Sequence, residues 1–81
     1  MDIKNDIRDF IQSDLLRGRD VPLGPRDSLI NAGIIDSLGI QKLLEFLERT
    51  FAVKISDDEI VPENFETIDS ITDLIEAKVS G

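Results

Sequence analysis

From Leu38 to Phe51 the apolar residues Ile40, Leu43, Leu44, Leu47 and Phe51 recur at the spacing of a single helical face. This stretch commits the chain to a helix with one buried side, and the remaining segments must supply what covers it. Immediately before it stands Gly33-Ile34-Ile35-Asp36-Ser37-Leu38. Asp36 is a favoured N-cap residue, and Ser37 falls in the first turn, where backbone N–H groups lack intrahelical partners and the helix dipole is positive. A phosphate ester on Ser37 would be stabilised by that field.

The other segments supply more helices. A first helix is expected after Asp2, with Ile3, Ile7, Phe10, Ile11 and Leu15 on one face and Gly18 as its stop. Between Arg17 and Asp36 lie Gly18, Pro22, Gly24, Pro25 and Gly33 with no sustained period, which reads as a long loop. Val21, Leu23, Leu29, Ile30 and Ile34 are expected to plug it into the core, with a short helical turn over 27–31. Ala52-Val53-Lys54-Ile55 is too short and isolated to be a strand and is read as packed loop. Ser56 with Glu59 forms a capping-box pattern, Asp57 and Asp58 suit a helix start, and Pro62 is read as ending a one-turn helix. Thr67 caps a last helix whose inner face is Ile68, Ile71, Leu74, Ile75 and Val79, with Lys78 near its negative end. The expected fold is all-α: a small four-helix bundle of three longer helices and one short one with a long first loop, forming a single domain over 1–81.

Composition narrows the chemistry. The 81 residues include no Cys and no His, which removes thiolate nucleophiles, disulfides and the usual general base. Without Trp or Tyr there is little aromatic surface for stacking bases. A net charge of −8 disfavours nucleic acid and anionic membranes and favours proteins with basic patches. That charge is lopsided: residues 1–35 hold six acids and five bases, residues 36–81 eleven acids and four bases. No apolar run approaches membrane-spanning length and the first residues lack the pattern of a signal peptide, so a cytoplasmic location is expected.

Asp-Ser-Leu occurs at Asp27-Ser28-Leu29 and at Asp36-Ser37-Leu38, and Asp69-Ser70-Ile71 is a near relative. The first is followed by Asn31-Ala32-Gly33, which breaks a helix after about one turn. The third is read as lying inside the last helix, its amides already bonded to the preceding turn. Only Ser37 combines a loop before, a long helix after and an aspartate at the cap, although Asp and Ser are common at helix starts whatever the function. A catalytic role for Ser37 lacks a base and an oxyanion hole, and no Gly-x-Ser-x-Gly is present. Asp57-Asp58-Glu59 lacks the alternating carboxylates and glycine of a calcium loop. No catalytic residue and no metal site are expected.

The motif Gly33-Ile34-Ile35-Asp36-Ser37-Leu38, the helix ending in Phe51 and the order of helices around it resemble the acyl carrier protein family over essentially the whole chain. The resemblance implies that Ser37 bears a covalent 4′-phosphopantetheine arm, derived from coenzyme A, on which acyl groups ride as thioesters, and that the protein itself catalyses nothing. It implies that Asp36 helps position the transferase's metal-bound coenzyme A and that Leu38 is an exposed apolar partner contact. Gln41, Lys42, Glu45 and Ile60 are further partner-contact candidates. The implied partners are a phosphopantetheinyl transferase, an acyl- or aminoacyl-loading ligase and acyl-transferring enzymes, met by a monomer. In residues 37–51, Glu45 and Glu48 are balanced by Lys42 and Arg49, whereas the family's fatty-acid members have a strongly acidic face here. Pro62-Glu63-Asn64-Phe65-Glu66-Thr67-Ile68 and the run Gly33 to Gly39 are similar to stand-alone aminoacyl and D-alanyl carriers. The first reading is a carrier for fatty-acid, polyketide or other specialised acyl metabolism. An aminoacyl, D-alanyl or peptidyl carrier comes second, and a small helical interaction domain without an arm third. For sheltered cargo the candidate lining is Leu43, Leu47, Ile55, Ile60, Phe65 and Ile71, residues that the same pattern also reads as plain core; Phe46 either narrows that space or faces a partner, and short or medium chains are expected.

Overall fold

The computed structural model describes residues 2–16, 24 and 26–80. Four α-helices form the frame: α1 (Ile3–Phe10), α2 (Ser37–Phe51), α3 (Pro62–Phe65) and α4 (Ile68–Ser80). No strand occurs among the described residues, in agreement with the all-α expectation of three longer helices and one short helix.

Asp2 starts α1 as expected, its Oδ1 accepting the Asn5 N–H at 3.2 Å. Beyond Phe10 the helix widens into a π-helical turn over Ile11–Leu15, closed by the Leu16 N–H reaching the Ile11 carbonyl at 2.8 Å. The extra residue rotates Leu16 into the core, where it is fully buried beside Ile7 and Ile11. Gly18, Val21 and Leu23, to which a helix stop and loop plugs were assigned, lie outside the described residues.

The second half of the loop folds onto itself. Ser28 accepts the Asn31 N–H on Oγ and the Ala32 N–H on its carbonyl, and Gly33 turns the chain at φ +73°, where a side chain would strain it. The Leu29 carbonyl accepts the N–H groups of both Ile34 and Ile35, and the Leu29 N–H donates to the Glu66 carbonyl at 2.7 Å. Leu29, Ile34 and Ile35 are thereby buried. Ile30 does not plug the loop: the turn directs it outward and it is 39% exposed.

After α2, Ala52 takes a left-handed conformation (φ 55°, ψ 44°) and ends the helix. Residues 53–56 are packed loop, with Ile55 buried and its N–H held by Glu48 Oε2 at 2.9 Å. The turn over Asp57–Glu59 is 3-10, and the Ser56 N–H and hydroxyl both donate to Glu59 Oε1. The expectation that Pro62 ends a helix is corrected. Pro62 opens α3 at its first position, where its missing N–H costs nothing and its fixed φ suits a helix. Thr67 caps α4 by accepting the Ser70 N–H at 3.0 Å.

α4 packs against α1 and α3, and the core gathers Ile7, Ile11, Leu43, Leu47, Phe65, Ile68, Ile71 and Ile75, all without exposed surface. Val79, expected on that face, is 49% exposed. Lys4 of α1 pairs with Asp69 of α4 at 2.7 Å. Lys78 binds more than its own helix end: its ammonium donates to the Lys54 carbonyl (2.8 Å) and to Glu59 (2.6 Å), pinning the loop and the 3-10 turn to α4.

Candidate functional site

Ser37 is the first residue of α2, and its side chain is exposed. Asp36 precedes it in an extended conformation, with Oδ1 accepting the Gly39 N–H at 2.7 Å and its carbonyl accepting the Ile40 N–H at 2.9 Å. One of the helix's unpaired donors is thus satisfied by Asp36, while the Ser37 and Leu38 amides remain at the positive end of a fifteen-residue helix. Gly39 is buried where three parts of the chain converge. A Cβ there would come within 3.2 Å of Asp36 Oδ1, 3.5 Å of the Ile34 carbonyl and 3.6 Å of Leu15. The first turn of α2 is therefore seated between the cap, the loop and the end of the π-turn.

The two rival serines are placed differently. Ser28 heads a turn, as its flanking sequence implies, and its hydroxyl is engaged by the Asn31 N–H. Ser70 lies inside α4 as expected, but in its first turn, three residues after the Thr67 cap, so its N–H is not bonded to a preceding turn; that N–H and the hydroxyl both meet Thr67 Oγ1. The field argument alone does not separate Ser70 from Ser37. Exposure and engagement do: Ser37 is open, and Ser70 is half-buried with its hydroxyl bonded.

On α2, Leu38, Gln41, Lys42 and Glu45 follow one another at i, i+3, i+4 and i+7 and all face out. Leu38 is 69% exposed, the most exposed large apolar side chain among the described residues. Glu45 pairs with Arg49 one turn on, and Glu48 is occupied by the Ile55 N–H, which leaves this face without a net acidic field. Ile60 does not join that row; it is half-buried against the core. Of the six residues proposed to line a cargo space, Leu43, Leu47, Ile55, Phe65 and Ile71 are closed core. Phe46 stands apart from them, stacked on Phe10 of α1 (4.2 Å between centroids, 15° between planes) and edge-on to Phe51.

Sequence reasoning missed the contribution of the π-turn. Asp14 and Leu15, more than twenty residues before the serine, share a cleft with Ile34, Asp36, Leu38 and Lys42. Ile11 and Leu15 keep the helical spacing set by Ile3 and Ile7, so no break in the pattern signals it. Among the described residues no group of carboxylates is arranged to hold a metal ion, and no helix is long and apolar enough to cross a membrane.

The site offers a reachable hydroxyl at a helix N-terminus, and the sequence contains no histidine to activate it. That chemistry fits a group attached by another protein. Comparison with known proteins gives the same direction. No curated protein matches the chain. Among solved structures, a chain of one described as "Crystal structure of FAD-dependent dehydrogenase" is 38% identical, with a TM-score of 0.79, over 85% of this chain and 97% of that one. A chain of a structure described as "Crystal structure of Bradyrhizobium japonicum glycine:[carrier protein] ligase complexed with cognate carrier protein and an analogue of glycyl adenylate" is 23% identical, with a TM-score of 0.77, over 95% of this chain and 100% of that one. The family described as "Phosphopantetheine attachment site" matches residues 5–75. The chain therefore belongs to the phosphopantetheine-attachment family of carrier domains, whose cofactor is covalently bound 4′-phosphopantetheine.

Proposed function

We propose that Ser37 is the attachment residue and that the chain, a single carrier domain over 1–81, presents thioester-bound acyl groups to partner enzymes. The observation that supports this most directly is the exposed Ser37 hydroxyl on the first turn of α2, beside a capping aspartate that keeps the turn intact. Ser37 Oγ forms a bond to the phosphorus of coenzyme A that bears the pantetheine, its proton goes to the transferase or solvent, and adenosine 3′,5′-bisphosphate leaves. The resulting phosphodiester is stabilised by the dipole of α2 and the unpaired first-turn amides. The bound group supplies the thiol that this Cys-free chain lacks.

The protein's own residues hold and present. Asp36 fixes the turn and faces the transferase's metal-bound coenzyme A. Leu38, Gln41, Lys42 and Glu45 form the row read by partners, and Ile60 adds an apolar contact from the far loop. The chain itself is not a catalyst and acts as a cytoplasmic monomer that meets a phosphopantetheinyl transferase, a loading ligase and acyl-transferring enzymes. An acyl cargo of specialised metabolism, altered by a redox enzyme while attached, is supported by the 38% identical chain found in a flavin-dependent dehydrogenase structure. An aminoacyl cargo is the second reading, favoured by the charge-balanced face of α2 and the closed core, which suit a small load held outside.

Intact-mass analysis after incubation with coenzyme A and a broad-specificity phosphopantetheinyl transferase tests the assignment. Wild type and Ser28→Ala should each gain the mass of one phosphopantetheine, and Ser37→Ala none. Modification that survives in Ser37→Ala removes Ser37 from the role.

A further inference from the structure

Phe10 and Phe46 stack on one another where α1 meets α2, and both remain half-buried. They line an open cleft of about 380 Å³ together with Asp6, Asp9, Ser13, Asp14 and Thr50. The pattern is helical: Asp6, Asp9, Phe10 and Ser13 recur at i, i+3, i+4 and i+7 along α1 and the π-turn, and Phe46 and Thr50 stand one turn apart on α2. Phe46 comes nine residues after Ser37, which at about 100° per residue places it half a turn round the helix, on the side away from the serine. None of Leu38, Gln41, Lys42 and Glu45, the row assigned to partners above, lines this cleft.

The cleft carries three carboxylates and no cation. Asp6, Asp9 and Asp14 make no ion pair among the described residues, whereas Lys4 and Arg26 meet Asp69, Arg49 meets Glu45 and Lys78 meets Glu59. α1 therefore sorts its charges, with Lys4 turned to α4 and Asp6 and Asp9 turned to the cleft. The first 35 residues hold six acids against five bases, so the acidity here is a local arrangement and not a share of the overall −8. Like charges gathered round one cleft repel, and a cation brought from outside removes that cost.

Phenylalanine surface under a ring of carboxylates discriminates between cations. An ammonium is compact and strongly hydrated. A guanidinium is planar and weakly hydrated, lies flat on aromatic surface and forks onto carboxylates, while its alkyl stem covers apolar surface left open. We infer that the cleft between α1 and α2 is a docking site for an arginine-bearing basic segment of a partner protein, occupied while Ser37 stays accessible on the other side of α2. One protein then holds the carrier from behind while a different one addresses the serine. The inference does not depend on which group Ser37 bears.

The test is an NMR titration of the wild-type chain with a blocked hexapeptide alternating arginine and leucine, and with its lysine counterpart. The expected result is a saturable shift change at Asp6, Phe10, Ser13, Phe46 and Thr50, with the arginine peptide bound several-fold more tightly than the lysine peptide. In the double variant Asp9→Asn/Asp14→Asn, whose altered side chains are exposed, binding should weaken several-fold while the remaining spectrum stays that of the folded chain. Equal response to both peptides, or shifts as large at the exposed acids Asp57, Asp58 and Glu63, overturns the inference by showing a general attraction between an acidic chain and basic peptides. Absence of a saturable change at the cleft overturns it outright. Broadening of the cleft signals that grows with protein concentration without peptide overturns it in favour of a second copy of the chain.

Discussion

Replacing Asp36 separates what it does for the fold from the part proposed for it in attachment. Its Oδ1 accepts the Gly39 N–H at 2.7 Å, and alanine removes that bond while leaving the serine in place. Losing an N-cap of this kind costs about 1 kcal/mol. For a chain of 81 residues, unfolding entropy near the midpoint is about 0.17 kcal/mol/K, so Asp36→Ala should lower Tm by about 6 °C. Asparagine keeps an oxygen for the Gly39 N–H and loses only the charge facing the helix dipole, worth roughly 0.3–1 kcal/mol, so Asp36→Asn should fall between wild type and alanine. Circular dichroism melts at one salt concentration give the order. Mass-monitored loading of the two variants well below their melting points then reports the second role: loading should slow in both, including the better-folded asparagine variant. A melt of Asp36→Ala superimposable on wild type would refute the capping argument, and equal losses in alanine and asparagine would show that charge, not the hydrogen bond, holds the turn.

Two further outcomes follow from the core and the clasp. Phe65, wholly buried between α3 and α4, should cost about 3–5 kcal/mol when truncated to alanine, read as a lowered midpoint in urea denaturation with the slope unchanged. Glu59 is held down to about 2 by the Lys78 ammonium and then by the Ser56 N–H and hydroxyl, against an ordinary value of 4.5. A depressed carboxylate contributes its stability above the unfolded value and loses it as pH falls from about 4.5 towards 2. Lys78→Met should move the Glu59 carboxyl titration, followed by carbon NMR, back up towards 4.5; an unmoved midpoint would dismiss Lys78 as the cause.

What was legible in the sequence was local. Asp2, Asp36 and Thr67 announce helix starts through a side chain that reaches three residues forward, and the apolar face of α2 is fixed by spacing alone. Ser37 could be singled out because loop, cap and helix adjoin it. Pro62 is ambiguous locally, since proline both ends a helix and suits the first position of the next, and the choice depends on Phe65 and Ile68 finding the core. The outward turn of Ile30 and the exposure of Val79 depend likewise on where distant segments finish. The π-turn and the cleft it forms with Asp36 were not legible at all. They arise from packing of residues 11–16 against partners much later in the chain, which leaves no periodic trace.

The hydrogen bond from the Leu29 N–H to the Glu66 carbonyl has a consequence for the order of folding. The same Leu29 holds Ile34 and Ile35 through its carbonyl, and those residues lead directly into the cap of α2. Loop closure across such a separation is slow relative to helix formation, and it cannot begin on a ribosome until residue 66 has emerged. A nascent chain with α2 already wound thus lacks the anchor that fixes its entry. The settled entry to Ser37 therefore forms after α2 itself, once the Glu66 carbonyl has met the Leu29 N–H.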